Sequence, residues 1–221
     1  MPETPDIAPS VRAEHLTAGY REGRPVITDL SFLVTGPGLV RIGGANGSGK
    51  STLVEVMSGY LRPFHGFVEI CGLAAELPAT RAYRLVCRTS PALHPSLNVH
   101  DHLIIAARAH GRAVEEVMGR VEAFGLSGFL GEPISGLSSG TAKKLWYVLA
   151  TTSCRPVMIL DEPFNAIDVA TVRCMVKEVN AWSKHNLVML VSHLLPDGLE
   201  VRETLVLDRP KTAGCGDCAM T

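Results

Sequence analysis

Gly44-Ala45-Asn46-Gly47-Ser48-Gly49-Lys50-Ser51 has the residue types and the spacing to hold a chain of phosphates, matching the pattern GxxxxGK[ST]. Glycines let the backbone N–H groups turn inward around phosphate oxygens, where a β-carbon would obstruct the path. Lys50 supplies positive charge for the β and γ phosphates, and the Ser51 hydroxyl is placed to reach Mg²⁺. A helix that follows directly, through Thr52, adds the favourable end of its dipole. The alternative is a glycine-rich turn without a ligand. A second pair of reactive groups, Asp161 and Glu162, precedes Pro163. Two adjacent carboxylates can divide the work: Asp161 would hold Mg²⁺ through water, while Glu162 would orient or deprotonate an attacking water. A surface acidic pair is the competing reading.

The elements around these groups determine whether they can meet. Leu39 to Ile42 reads as a strand leading into the glycine loop, and Leu53, Val54, Met57 and Leu61 fall on one face of a helix from Ser51 to Leu61 that Gly59 and Pro63 bring to an end. Val11 to Leu16, Leu30 to Val34 and Phe67 to Cys71 also read as strands. Helical spacing returns in His102 to His110 and in Val114 to Phe124, broken by Gly111 and Gly125, which marks a helical insert over Pro91 to Leu137. Beyond it, the apolar runs Val157 to Leu160 and Leu187 to Val191 flank a helix over Val169 to Ser183. Continuous apolar strands separated by a helix imply a parallel sheet. Asp161 and Glu162 then stand at the carboxyl edge of that sheet, where α/β folds bind ligands.

Length and composition limit the alternatives. A chain of 221 residues suits one α/β domain with a small insert, and 46% hydrophobic residues supply a core for it. With 21 Lys and Arg against 22 Asp and Glu, and no long basic run, nucleic acid is not an expected partner. No apolar run approaches the roughly 20 residues of a membrane-spanning helix. The N-terminal Pro2, Glu3, Pro5 and Asp6 lack the features of a secretory signal, so a cytoplasmic location is expected. Four of the six cysteines are scattered as small buried hydrophobes would be. Cys215 and Cys218 have metal-ligand spacing, but two thiolates are too few for a closed zinc site, and a mobile tail is the favoured reading. His100 and His102 alone make no metal site and are expected to be exposed.

Gly44 to Thr52, Leu137-Ser138-Ser139-Gly140-Thr141, Ile159-Leu160-Asp161-Glu162-Pro163 and His193 occur in the order found in ATP-binding cassette proteins, and the chain resembles that family from about Val11 to Asp208. The resemblance implies an α/β fold: a P-loop NTPase core with a parallel sheet, an N-terminal antiparallel β region and a small helical insert. It implies one ATPase domain, with the core at about 11–90 and 138–208, the insert at about 91–137 and a tail at about 209–221. ATP and Mg²⁺ follow as ligands, and ATP hydrolysis as the activity. The implied partners are a membrane-spanning transporter subunit and a second copy of the chain or a homologous ATPase subunit. Attachment at the inner face of the plasma membrane would then come through the membrane subunit.

Residue by residue, the resemblance makes Tyr20, in Thr17-Ala18-Gly19-Tyr20, the ring that stacks on adenine, although it could be an ordinary half-buried tyrosine. His193 becomes the histidine that contacts the γ phosphate and helps position Glu162. Ser138 and Gly140 become the residues that reach ATP held by the opposite subunit, with Ser138 or Ser139 also able to cap a helix. Asp168 would contact the opposite subunit, cap the helix beginning near Val169, or do both. Three departures stand out: Ser139 and Thr141 in the signature segment, and Thr89 where the family places a glutamine. The chain contains no glutamine at all. The segments His94 to Val99 and Leu137 to Leu145 look more like those of bacterial exporters than of importers. The alternatives are a soluble cassette ATPase not coupled to transport, disfavoured by the absence of a coiled-coil insert or second cassette, and a low-turnover regulatory subunit.

Overall fold

A computed structural model describes residues 8–193 and 195–208; Cys215 and Cys218 lie outside the described residues. Among the described residues, nine strands form two sheets. The first is antiparallel, in the order β2-β1-β4-β5, from β1 (Ser10–Ala18), β2 (Ile27–Thr35), β4 (His65–Ile70) and β5 (Leu73–Ala74). The second is parallel, in the order β6-β7-β8-β3-β9, from β3 (Gly38–Gly44), β6 (Arg84–Cys87), β7 (Val157–Asp161), β8 (Leu187–Val191) and β9 (Val201–Leu207). Five helices accompany them: α1 (Lys50–Met57), α2 (Val99–Ala109), α3 (Glu115–Ala123), α4 (Ser139–Ala150) and α5 (Val169–Ser183).

Every residue of β7 and β8 is buried, which explains their unbroken apolar runs: both faces of the parallel sheet are covered. Alternate residues serve opposite layers. Val40, Ile42, Ile159 and Met189 pack with Leu53, Val54 and Met57 of α1 and with Val11 and Ile70 of the antiparallel sheet. Leu39, Met158, Leu160 and Val188 pack with Leu103 of α2, Val121 of α3, Leu145 and Val148 of α4 and Met175 of α5. The helices of the region 91–137 therefore share a core with α4 and α5 on one face, while the phosphate-loop helix lies on the other.

Several boundaries differ from the sequence expectation. Helix α1 stops at Met57 rather than at Leu61, because Gly59 takes a φ of +73° and the amides of Tyr60 and Leu61 fold back to the Glu55 carbonyl. Helix α2 starts at Val99, earlier than His102, because Asn98 and Asp101 form a capping box. Three strands, the two-residue β5 together with β6 and β9, are not expected from the sequence pattern. β6 sits at one edge of the parallel sheet and carries the buried Arg84, while β9 sits at the other with an exposed Val206, so neither reads as a continuous apolar run. His102, expected in solvent, is 8% exposed; its Nδ1 pairs with the Asn98 carbonyl and its Nε2 accepts the His94 amide. Cys154, expected to be buried, is exposed.

Candidate nucleotide site

Parallel register sets Ile42, Val191 and Asp161 level across β3, β8 and β7, with Cys87 of β6 opposite Leu160. The chain leaving each of these strands emerges at one edge: Gly43 and Gly44 from β3, Arg88 and Thr89 from β6, Glu162 from β7, Ser192 and His193 from β8. Four segments far apart in sequence thus meet through strand order alone.

The phosphate loop is constrained from its first residue. Gly44 has a φ of +142°, and a β-carbon there would come within 2.5 Å of Ser48 Oγ and 2.6 Å of the Leu207 carbonyl oxygen. Gly49 has a φ of +97° and begins α1 without a side-chain cap, so no side chain competes for the amides at that helix end. Ala45, Asn46 and Gly47 of the loop are exposed, whereas Lys50 is largely buried. Its Nζ donates to the Gly44 and Ala45 carbonyls at 2.9 and 3.0 Å, and the Ser48 hydroxyl is buried without a partner.

Asp161 ends β7 with its Oδ1 buried and unpaired. Burial pushes its carboxyl above the ordinary carboxylate range, the nearby Glu162 and Glu55 add to that, and a hydrogen bond from Thr89 opposes it. Glu162 takes a φ of +48°, a conformation costly for any residue with a β-carbon, held by its amide donating to the Val191 carbonyl at 2.9 Å. Its side chain is 10% exposed. The His193 amide donates to Glu162 Oε2 at 3.4 Å, and His193 Nε2 lies 3.5 Å from Oε1. Arg41 of β3 donates to the carbonyls of Ser192 and His193 at 3.3 to 3.4 Å, holding this loop from beneath. It carried no motif signal, because an arginine inside a short apolar strand looks like an interruption.

These groups line one cleft of about 470 Å³, which includes Tyr20, Asn46, Gly47, Gly49, Lys50, Ser51, Thr52, Thr89, Asp161, Glu162 and His193. Tyr20 is 62% exposed, so its ring is accessible for stacking. Thr89 Oγ1 donates to the Asp161 carbonyl oxygen at 3.2 Å.

Ser138, Gly140 and Asp168 do not line this cleft. Ser138 caps α4 by accepting the Thr141 amide at 3.1 Å, and its hydroxyl pairs with that of Thr141 at 2.8 Å. Thr141 therefore has a local job at the helix end. A β-carbon on Gly140 would come within 3.1 Å of the Ala166 carbonyl oxygen. Asp168 caps α5 through the Thr171 amide at 2.9 Å and pairs with Lys144 of α4 at 2.5 Å. The Lys144 hydrogen bond, then those from Thr171, hold its carboxyl far below the ordinary carboxylate range. Lys143 donates to the Asn165 carbonyl at 3.2 Å. The signature segment and the residues around Asp168 consequently form one packed surface beside the cleft.

The profile of the ABC transporter family matches residues 27–165, more than half of the chain. The chain belongs to that family. Among curated relatives, the cytochrome c biogenesis ATP-binding export protein CcmA of Cupriavidus pinatubonensis is 31% identical over 201 residues, covering 88% of each chain. The CcmA of Paramagnetospirillum magneticum is 34% identical over 167 residues, with 72% of this chain and 76% of the relative covered. A solved ATP-binding subunit of an ABC transporter superposes with a TM-score of 0.74 at 28% identity, covering 84% of this chain and 80% of that one. The chain is thus an ATP-binding, ATP-hydrolysing ABC subunit, and its α/β fold with parallel and antiparallel sheets is that of the family.

Proposed function

We propose that this chain is the ATPase subunit of an exporter, working at the cytoplasmic face of a membrane through a membrane-spanning partner. The observation that carries the reading is the single cleft joining the phosphate loop, Asp161, Glu162 and His193 at one sheet edge. The export proteins among its relatives support the direction of transport. Among the described residues no helix is long and apolar enough to cross a membrane.

In this reading ATP is the substrate. Tyr20 stacks on adenine. The amides of Gly44 to Thr52 surround the phosphates, with Lys50 exchanging its bonds to the Gly44 and Ala45 carbonyls for phosphate oxygens. Asp161 Oδ1, a buried and unpaired carboxylate-type oxygen, fits a divalent cation, and Ser51 borders the same cleft. Mg²⁺ held there supplies charge neutralisation on the phosphates. Glu162 accepts the proton of the attacking water, and His193 orients that carboxylate and meets the γ phosphate.

Ser138 and Gly140 stand outside the cleft of their own chain, at the start of α4. They serve a nucleotide held by a second copy or a homologous ATPase subunit, which makes the working unit a dimer closed by ATP. Asp168 fixes the adjoining surface through its cap and its bond to Lys144. The whole of residues 11–208 acts as one ATPase domain, with 91–137 as its helical insert. Affinity capture of the tagged chain from detergent-solubilised membranes tests the reading. A polytopic membrane protein should co-purify, and Mg²⁺-dependent ATPase activity should reside in that complex. An active ATPase found only in the soluble fraction, without a membrane subunit, would overturn it.

A further inference from the structure

The segment in which the chain lacks a glutamine holds an arginine with an unusual set of partners. Arg88 immediately precedes Thr89. Its guanidinium donates to both carboxylate oxygens of Glu55 on α1, from Nε at 2.8 Å and from Nη2 at 3.1 Å, and Nη2 donates to Ser58 Oγ at 2.9 Å. It also lies over the Tyr60 ring, 5.8 Å from the centroid. The last turn of α1 contains no basic residue of its own. Arg88 therefore brings to the negative end of the phosphate-loop helix a charge that the helix lacks. The Arg88 carbonyl oxygen, meanwhile, accepts the Trp146 indole N–H of α4 at 2.9 Å. One residue is thus bonded by its side chain to the helix that follows the phosphate loop and by its backbone to the helix that follows the signature segment.

We propose that Arg88 is a positioning residue for ATP turnover, fixing α4, with Ser138 and Gly140 at its start, to α1, with Lys50 and Ser51 at its start. The proposal rests on the nucleotide-site reading given above. Two features separate this from ordinary packing. The pair is a bidentate fork with Glu55 19% exposed and Arg88 39% exposed, so its geometry is specified rather than incidental. The neighbouring Thr89 bonds the Asp161 carbonyl, so any displacement of residue 88 reaches the end of β7 within one peptide unit. Nucleotide entering the cleft displaces Lys50 from its loop carbonyls. The resulting strain on α1 passes through Glu55 and Arg88 to Trp146 and so to the signature segment.

Trp146 reports on this directly. With Trp182→Phe as background, Trp146 is the remaining tryptophan, and AMP-PNP binding should change its fluorescence. Arg88→Gln should abolish that change and lower kcat about tenfold, while KM for ATP stays within about twofold. Glu55→Gln, which removes the charge and one of the two acceptors of the fork, should do the same and serves as the second variant if Arg88→Gln is unstable. The exchange Glu55→Arg with Arg88→Glu should recover at least half of both losses, and the fall in kcat at near-constant KM in a chain that melts as wild type is the result that a merely structural role does not give. Wild-type kcat together with a wild-type Trp146 response in folded Arg88→Gln or Glu55→Gln would overturn the proposal. So would impaired single variants that the exchange fails to rescue. A wild-type chain that binds no nucleotide would remove the site reading as well, which distinguishes the two failures.

Discussion

Replacing Glu162 by glutamine tests the assignment of the base with little structural disturbance. Glutamine keeps the side-chain volume and an oxygen to accept the His193 amide, which in the wild type donates to Oε2 at 3.4 Å. The backbone at φ +48° is equally strained for either residue. What disappears is the group able to accept a proton, and with it one negative charge in a cleft that must receive a polyanion. Loss of general-base catalysis lowers kcat by about 10²- to 10⁴-fold, equivalent to about 2.7–5.5 kcal/mol of barrier. ATP affinity should move the other way: Glu162 is among the charges that disfavour ionised Asp161, so its neutralisation relieves repulsion. The expected result is a Kd for ATP equal to or tighter than wild type, a collapsed kcat, and an ATP-bound dimer that persists on size-exclusion chromatography. Steady-state turnover and nucleotide binding should be measured on the same preparation, with a thermal melt to establish folding. A folded variant whose kcat falls less than tenfold would refute Glu162 as the principal base, and a kcat loss matched by equally weakened ATP binding would point to general damage.

Lys50→Ala should cripple ATP binding or turnover and, because it removes one donor from the Gly44 and Ala45 carbonyls, the second of which keeps the Ser48 amide, should cost only about 1 kcal/mol of stability; a melt beside a binding titration checks both, and wild-type binding would refute the site. Asp161→Asn should abolish Mg²⁺-dependent turnover yet raise the Tm of the nucleotide-free protein near neutral pH. A carboxyl held above its ordinary range contributes stability that is complete in acid and is lost as pH rises through its folded-state pKa, so the variant should also flatten that part of the Tm-against-pH curve. Thr89→Gln places a longer polar group at the cleft at the expense of the 3.2 Å bond to the Asp161 carbonyl, and should raise Mg²⁺-dependent ATPase activity by up to about tenfold, or about 1.4 kcal/mol of barrier. Unchanged or lower turnover, with and without the membrane subunit, would show that Thr89 is no weakened substitute for a glutamine.

The legible part of this molecule was the part encoded by local constraint. Gly44 and Gly49 stand where the backbone demands positive φ, β7 and β8 are covered on both faces, and Asp161-Glu162 follows an apolar run directly; each leaves a trace over a few consecutive residues. Edge strands leave a weaker one, since β6 and β9 are paired along one side and mix polar with apolar residues. Side chains that act across long separations leave almost none. Arg41 reaches a loop about 150 positions away, and Arg88 meets Glu55 and Trp146 from opposite directions along the chain. Nothing in the spacing of these residues indicates their partners, because the partnership is created by strand order. The resemblance to a family supplied positions for Tyr20, His193 and Ser138, but it was silent on the arginines that hold those segments in place.

Strain and unsatisfied polarity in the cleft are concentrated on the residues assigned to the chemistry. Asp161 Oδ1 and Glu162 Oε1, both lining the cleft, are buried without hydrogen bonds, as are Ser48 Oγ in the phosphate loop and Tyr147 Oη in α4, and Glu162 sits in the left-handed region. Each is a cost in the nucleotide-free chain, and the two in the cleft stand where a cation or a water would offset it. Around them, several long charged side chains are fully engaged. Arg41, Arg84, Lys144 and Arg120 are tied to carbonyls and carboxylates of neighbouring segments; Arg120 alone bridges α3 to Glu178 of α5 and to the Thr151 carbonyl after α4. This division has a mechanical consequence. Asp161 and Glu162 carry unmet hydrogen-bonding capacity that ligand binding can complete, while arginine bridges hold the helices whose ends border the cleft. Nucleotide is therefore expected to change the relation between α1 and α4 more than the shape of either helix, and the Arg88 bridge lies on the line along which that change must pass.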